Sequence, residues 1–143
     1  MRTLLEDAAQ RAIHYLDGLD RRPVRPDPDA VAGLTALNTP LPDEPTDAAA
    51  VLAQLDETCS AATMAMAGPR FFGFVIGGAL PVTLAANWLA GAWDQHSALY
   101  NVTPATAQLE QVALGWLLDL FGLPASAGGG FVSGATMANF TAL

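Results

Sequence analysis

Gly128-Gly-Gly-Phe-Val-Ser-Gly-Ala-Thr-Met-Ala-Asn-Phe-Thr-Ala-Leu143 is the stretch that decides how this chain is read. Three glycines lead into a short β-type run, Phe131-Val-Ser133; Gly134 follows, and Ala135 to Leu143 reads as a helix. Strand, glycine turn and helix together are the geometry that binds phosphate, because the first N–H groups of a helix are unpaired and the positive end of its dipole faces outward. Gly134 is expected to permit the tight turn. The amides of Ala135, Thr136 and Met137 would then point at the anion, with the Thr136 hydroxyl as a further donor. Neither common nucleotide motif fits, since there is no Gly-Lys-Ser/Thr and the glycines precede the strand instead of following it. On these residues alone, a phosphate site and a plain strand-to-helix turn both stand open.

Working outward, Thr103 is a good N-cap and Pro104 a good first helical residue. Leu109, Val112, Ala113, Trp116, Leu117 and Leu120 supply an apolar stripe, and Gly122 with Pro124 ends the helix. Before it, Phe71 to Trp93 is an uncharged run of 23 residues. That is long enough to cross a membrane, but Gly73, Gly77, Gly78, Pro81 and Asn87 interrupt it. A helix opening at Pro81 and ending near Trp93 is about 18 Å long, which is too short to span, so it is expected to be a buried helix of a soluble protein.

The N-terminal part reads as follows. Leu4, Leu5, Ala8, Ala12, Ile13, Leu16 and Leu19 recur at helical spacing, which predicts an amphipathic helix over 3–19 that needs a surface to lie on. Prolines make residues 20–45 extended, with one short turn of helix around Asp29 to Leu37. Thr46 or Asp47 caps a helix that runs to about Met66, where Gly68-Pro69 stops it. The whole is the pattern of an open α/β fold cut after its first strand.

Charge narrows the function classes. The chain has 143 residues, 52% of them hydrophobic, and fourteen carboxylates against six arginines give a formal charge of −8. Such a surface repels nucleic acid and anionic membrane. Lysine is absent, and from Phe71 onward the only charges are Asp94, Glu110 and Asp119. A soluble domain carries more surface charge than that, so much of the second half is expected to be covered by other protein. The single cysteine, Cys59, cannot form an internal disulfide, and residues 1–20 lack the pattern of a secretory signal, which leaves a cytoplasmic location as the default.

Three segments in order carry a family resemblance: Gly68-Pro-Arg-Phe-Phe-Gly-Phe74, Thr103-Pro-Ala-Thr-Ala-Gln-Leu-Glu110 and the opening stretch Gly128 to Leu143. Together they resemble the N-terminal part of the pyridoxal-phosphate-dependent decarboxylases of the aromatic-amino-acid and glutamate (group II) type, strongly over residues 45–143 and more loosely before. The resemblance implies a fold-type I α/β enzyme, a carboxy-lyase that uses pyridoxal 5'-phosphate on a small amino-acid substrate. It implies a homodimer, with a helical, proline-rich arm over 1–45, a helical segment with a substrate-pocket stretch over 46–100, and the start of the cofactor-binding domain over 101–143.

By resemblance, Gly134, Ala135, Thr136 and Met137 match the loop that holds the cofactor phosphate. Phe74, Val75 and Ile76 match residues nearest the substrate side chain, and His96 and Ala98 match a loop that reaches the neighbouring subunit's pocket. The family's cofactor-linking lysine, its aspartate facing the pyridine nitrogen and its ring-stacking histidine correspond to positions beyond residue 143. The chain alone is therefore expected to be inactive and to need a missing C-terminal part of the same protein. The competing reading is a non-catalytic, acidic helical interaction or oligomerisation module.

Other conspicuous residues have ordinary readings. Two histidines without ligand-spaced Cys or carboxylates make no metal site. His14 reads as solvent-facing or at a subunit contact, and Cys59 as a small buried residue. Asp56-Glu57 reads as an exposed pair, since neighbours on a helix point different ways. The aromatic residues Phe71, Phe72, Phe74, Trp88 and Trp93 fit a core better than a pocket.

Overall fold

A computed structural model describes residues 1–97 and 99–143. It divides into two units, Met1–Pro81 and Val82–Leu143.

In the first unit, α1 (Arg2–Gly18) lies against α3 (Ala48–Cys59), and α2 (Pro28–Gly33) continues into a 3-10 turn over Leu34–Leu37. The sequence accounts for the starts of α2 and α3. Asp27 accepts the Asp29 N–H at 2.8 Å with Pro28 in the first turn of α2, and Asp47 caps α3 by accepting the Ala50 N–H at 3.0 Å. Losing such a cap costs about 1 kcal/mol. Asp47→Ala is therefore expected to lower the thermal midpoint by about 4–8 °C, the shift expected for a domain of this size, followed by circular dichroism at 222 nm.

Polar ties join α1 to α3. Arg11 meets Asp7 and Asp56, each at 3.1 Å. The hydrogen bonds to Asp7 and then Asp56 push the guanidinium further above its ordinary range. The Tyr15 hydroxyl lies 2.9 Å from Thr63 Oγ1, and the Arg22 guanidinium stacks over the Tyr15 ring at 4.6 Å. Leu4, Ala8, Ala12 and Leu19 of the expected apolar stripe turn inward, whereas Leu5, Ile13 and Leu16 stay exposed.

Helix α3 ends at Cys59 and gives way to a 3-10 turn over Ser60–Ala62, short of the expected Met66. To continue, the Ser60 carbonyl would have to accept the N–H four residues on. It accepts instead from the Arg22 guanidinium, the Thr63 N–H and the Thr63 hydroxyl. The chain is then tied back to the proline-rich segment, since the Ala65 N–H donates to the Val24 carbonyl at 3.1 Å.

Helix α4 (Pro81–Trp93) opens at its proline as the sequence indicates. Among the described residues no helix is long and apolar enough to cross a membrane. In the second unit, α5 (Pro104–Leu120) closes with a Schellman motif: Gly122, at φ 64°, donates to the Asp119 carbonyl and Leu123 to the Leu118 carbonyl. Only glycine takes that φ without strain. Thr103 stands at the N-cap position, but its hydroxyl donates to the Leu99 carbonyl at 3.2 Å instead of capping the helix. Helix α6 (Ala135–Ala142) follows.

Three expectations are corrected. No strand forms among the described residues: Phe131–Ser133 has no neighbouring strand to pair with, and a strand exists only in a ladder. Burial is slight, since among the described residues the buried ones are Leu19, Ala65 and Thr103. Helix α4 therefore exposes Val82, Trp88, Leu89 and Trp93, Phe72 and Phe74 are exposed too, and Cys59 is half-buried. Finally, the half-buried face of α5 is Thr106, Ala107, Glu110, Ala113, Leu114, Leu117 and Leu118, while Leu109, Val112, Trp116 and Leu120 remain exposed.

Candidate functional site

The chain leaving α5 turns back along the helix. Gly129 lies so close to α5 that a Cβ there would meet Leu114 Cδ1 at 2.6 Å, so the absence of a side chain permits the approach. Two residues on, the Phe131 N–H donates to Glu110 Oε1 at 3.4 Å. This delivers the segment to Gly134 and the start of α6.

At that start, the first intrahelical bond runs from the Ala138 N–H to the Gly134 carbonyl at 2.9 Å. The N–H groups of Ala135, Thr136 and Met137 have no partner among the described residues, and no side chain caps the helix. The Thr136 hydroxyl also has none there. Three open amides, a hydroxyl and the positive end of a helix dipole suit a phosphate. No lysine or arginine belongs to this unit, so these groups bind the anion without an ammonium or guanidinium beside them.

Gly134 contributes differently from expectation. Its φ of 168° is extended backbone open to any residue, and nothing lies within 4 Å of a Cβ built on it. The turn into α6 therefore does not depend on glycine sterically.

The expected pocket stretch lies in the first unit. Phe74 and Val75 both have φ 57°, and the Ile76 N–H closes a turn on the Gly73 carbonyl at 3.2 Å. Positive φ is costly for a β-branched residue such as Val75. The Phe74 ring stands 6.3 Å from that of Phe71 and is 78% exposed, and Val75 is fully exposed. His96 is exposed in the loop after α4, in the second unit, and Ala98 lies outside the described residues. The structure thus gathers Gly134 to Met137 at one helix start and Phe74 to Ile76 in one turn. Among the described residues no group of three His, Cys, Asp or Glu could hold a metal.

Residues 32–143 match the model of the pyridoxal-dependent decarboxylase conserved domain. The chain belongs to that family. It carries an N-terminal part of a group II enzyme of this kind. It is 29% identical to the aromatic-L-amino-acid decarboxylase of Bacillus atrophaeus over 143 residues, all of this chain and 30% of that one. With the L-2,4-diaminobutyrate decarboxylase of Rhizobium meliloti it shares 34% identity over 73% of this chain and 21% of the relative. The rat aromatic-L-amino-acid decarboxylase is 28% identical over 85% of this chain and 27% of its own length. The chain therefore spans less than a third of the curated relatives it matches. Family membership implies a fold-type I enzyme with pyridoxal 5'-phosphate as cofactor, and the open amides of Ala135 to Met137 fit the phosphate end of that group.

The sequence assigned Glu110 no role, although its carboxylate takes the Phe131 N–H; the signal that marks it is its i, i+4 spacing from Leu114, the residue against which Gly129 lies.

Proposed function

We propose that this chain forms the phosphate-binding and pocket-lining part of a pyridoxal-phosphate-dependent amino-acid decarboxylase. When bound, the cofactor withdraws electrons from the substrate's α-carbon so that carbon dioxide can leave. The Ala135, Thr136 and Met137 amides and the Thr136 hydroxyl hold the phosphate, and Gly134 presents them. Phe74, Val75 and Ile76 line the side-chain pocket, with His96 and Ala98 reaching the neighbouring subunit's pocket. Residues 1–45 act as an arm, 46–100 carry the pocket stretch and 101–143 begin the cofactor-binding α/β domain, in which Phe131–Ser133 becomes a strand once a neighbour pairs with it.

The observation that carries this reading is the unpartnered set of amides at α6 in a chain of this family. Its test is the 31P resonance of pyridoxal phosphate titrated into the protein. A shifted, saturable bound resonance is expected, and an unshifted resonance at millimolar protein rejects the reading. The named relatives act on aromatic amino acids and on diaminobutyrate, so the substrate is assigned only as an amino acid, in a cytoplasmic enzyme.

The exposed apolar residues of α4 and α5 support assembly as a homodimer, because large exposed apolar patches favour association. Sedimentation at micromolar concentration is expected to give a dimer or larger species, and a monodisperse monomer contradicts it. The same residues also suit the second reading, a non-catalytic oligomerisation module, which predicts assembly without cofactor binding.

A further inference from the structure

We infer that Glu110 is a positioning residue for the turn into α6: its carboxylate accepts the Phe131 N–H and so fixes the run that sets where the N-terminus of α6 stands. Three successive anchors hold the returning chain on one face of α5. The Leu118 carbonyl accepts the Leu123 N–H at 2.9 Å, Leu114 lies against Gly129, and Glu110 takes Phe131. The spacing is self-consistent, since one helical turn from residue 114 to 110 covers about 6 Å and two extended residues from 129 to 131 cover about 6.7 Å. Glu110 is the last anchor, and the residue it holds, Phe131, is three residues before Gly134.

Charge and hydrogen bonding explain why a carboxylate stands there. No lysine or arginine occurs from Phe71 to Leu143, so no ammonium or guanidinium of its own unit is available to Glu110. It is nevertheless half-buried, in a cleft with Ser97, Thr106, Leu109 and Phe131. The Glu110–Phe131 bond gives this half-buried carboxylate an N–H donor and ties the exposed run 131–133, which has no strand partner, to α5.

The bond itself stands without the cofactor; its consequence for phosphate binding rests on the proposed function. The test is amide hydrogen exchange resolved at Phe131 in the full-length protein, alongside pyridoxal phosphate affinity, for wild type, Glu110→Ala, Glu110→Asp, Glu110→Gln and Thr136→Val. Glu110→Ala is expected to speed exchange at Phe131 about tenfold, or about 1.4 kcal/mol, and to weaken the cofactor about as much. Exchange from Ala113 to Leu120 should stay unchanged. Glu110→Asp, which withdraws the carboxylate by one methylene, should loosen Phe131 similarly, and Glu110→Gln, which keeps an acceptor in place, should restore both readouts to within about threefold. Unchanged exchange at Phe131 in both the Ala and Asp variants overturns the inference, as does a Gln variant as impaired as Ala. If exchange responds while neither Thr136→Val nor Glu110→Ala alters cofactor affinity, the phosphate assignment fails and the Glu110 anchor stands. If Thr136→Val weakens the cofactor and Glu110→Ala does not, the positioning role is overturned alone.

Discussion

Replacing Thr136 by valine is expected to weaken pyridoxal phosphate binding by about tenfold to a hundredfold. The substitution keeps the shape of the side chain and removes one hydroxyl donor; a hydrogen bond to a charged group is worth about 1.5–3 kcal/mol, and about 1.4 kcal/mol is one decade in affinity. The effect should fall at the upper end, because the unit offers no lysine or arginine to compensate. Gly134→Ala should stay within about threefold of wild type, since the glycine has an extended φ and open space at its Cβ position. Cys59→Ala and His14→Gln should have no effect, since both residues belong to the first unit and α6 to the second. Fluorescence titration of the apoprotein measures all four. Equal affinity for wild type and Thr136→Val would place the phosphate elsewhere.

The second large effect is all-or-none. Residues 1–143 contain no lysine, so the N-terminal amine is the sole primary amine available to the cofactor's aldehyde. Borohydride treatment of this chain with pyridoxal phosphate is expected to leave label on Met1 alone, and the chain by itself should release no carbon dioxide from any amino acid. Peptide mapping that found a stoichiometric label at an internal residue would contradict this.

Much of the helical framework was legible because its punctuation is local. Pro81 and Pro104 open α4 and α5, Asp47 caps α3, and Gly122 followed by Pro124 closes α5. What the sequence concealed depends on partners distant along the chain. Helix α3 stops at Cys59 because Arg22, 38 residues earlier, takes the Ser60 carbonyl. The face of α5 turned inward is fixed by the chain that folds back over Glu110, Leu114 and Leu118, and periodicity alone favoured Leu109, Val112 and Trp116. The turn at Phe74 and Val75 carries no glycine at its positive φ positions, so nothing local announced it. At the candidate site, Ala135, Thr136 and Met137 were legible from the glycine turn before them, whereas Glu110 emerged only with the path of residues 129 to 131.

The proposal places the cofactor phosphate at the start of α6. Its most direct test is titration of 15N-labelled protein with pyridoxal phosphate, following every backbone amide. The N–H resonances of Ala135, Thr136 and Met137 are expected to move furthest and saturate together, as open donors that gain a phosphate acceptor should. Larger shifts at Arg21, Arg22 and Arg25 of the first unit, with residues 135–137 unmoved, would contradict it.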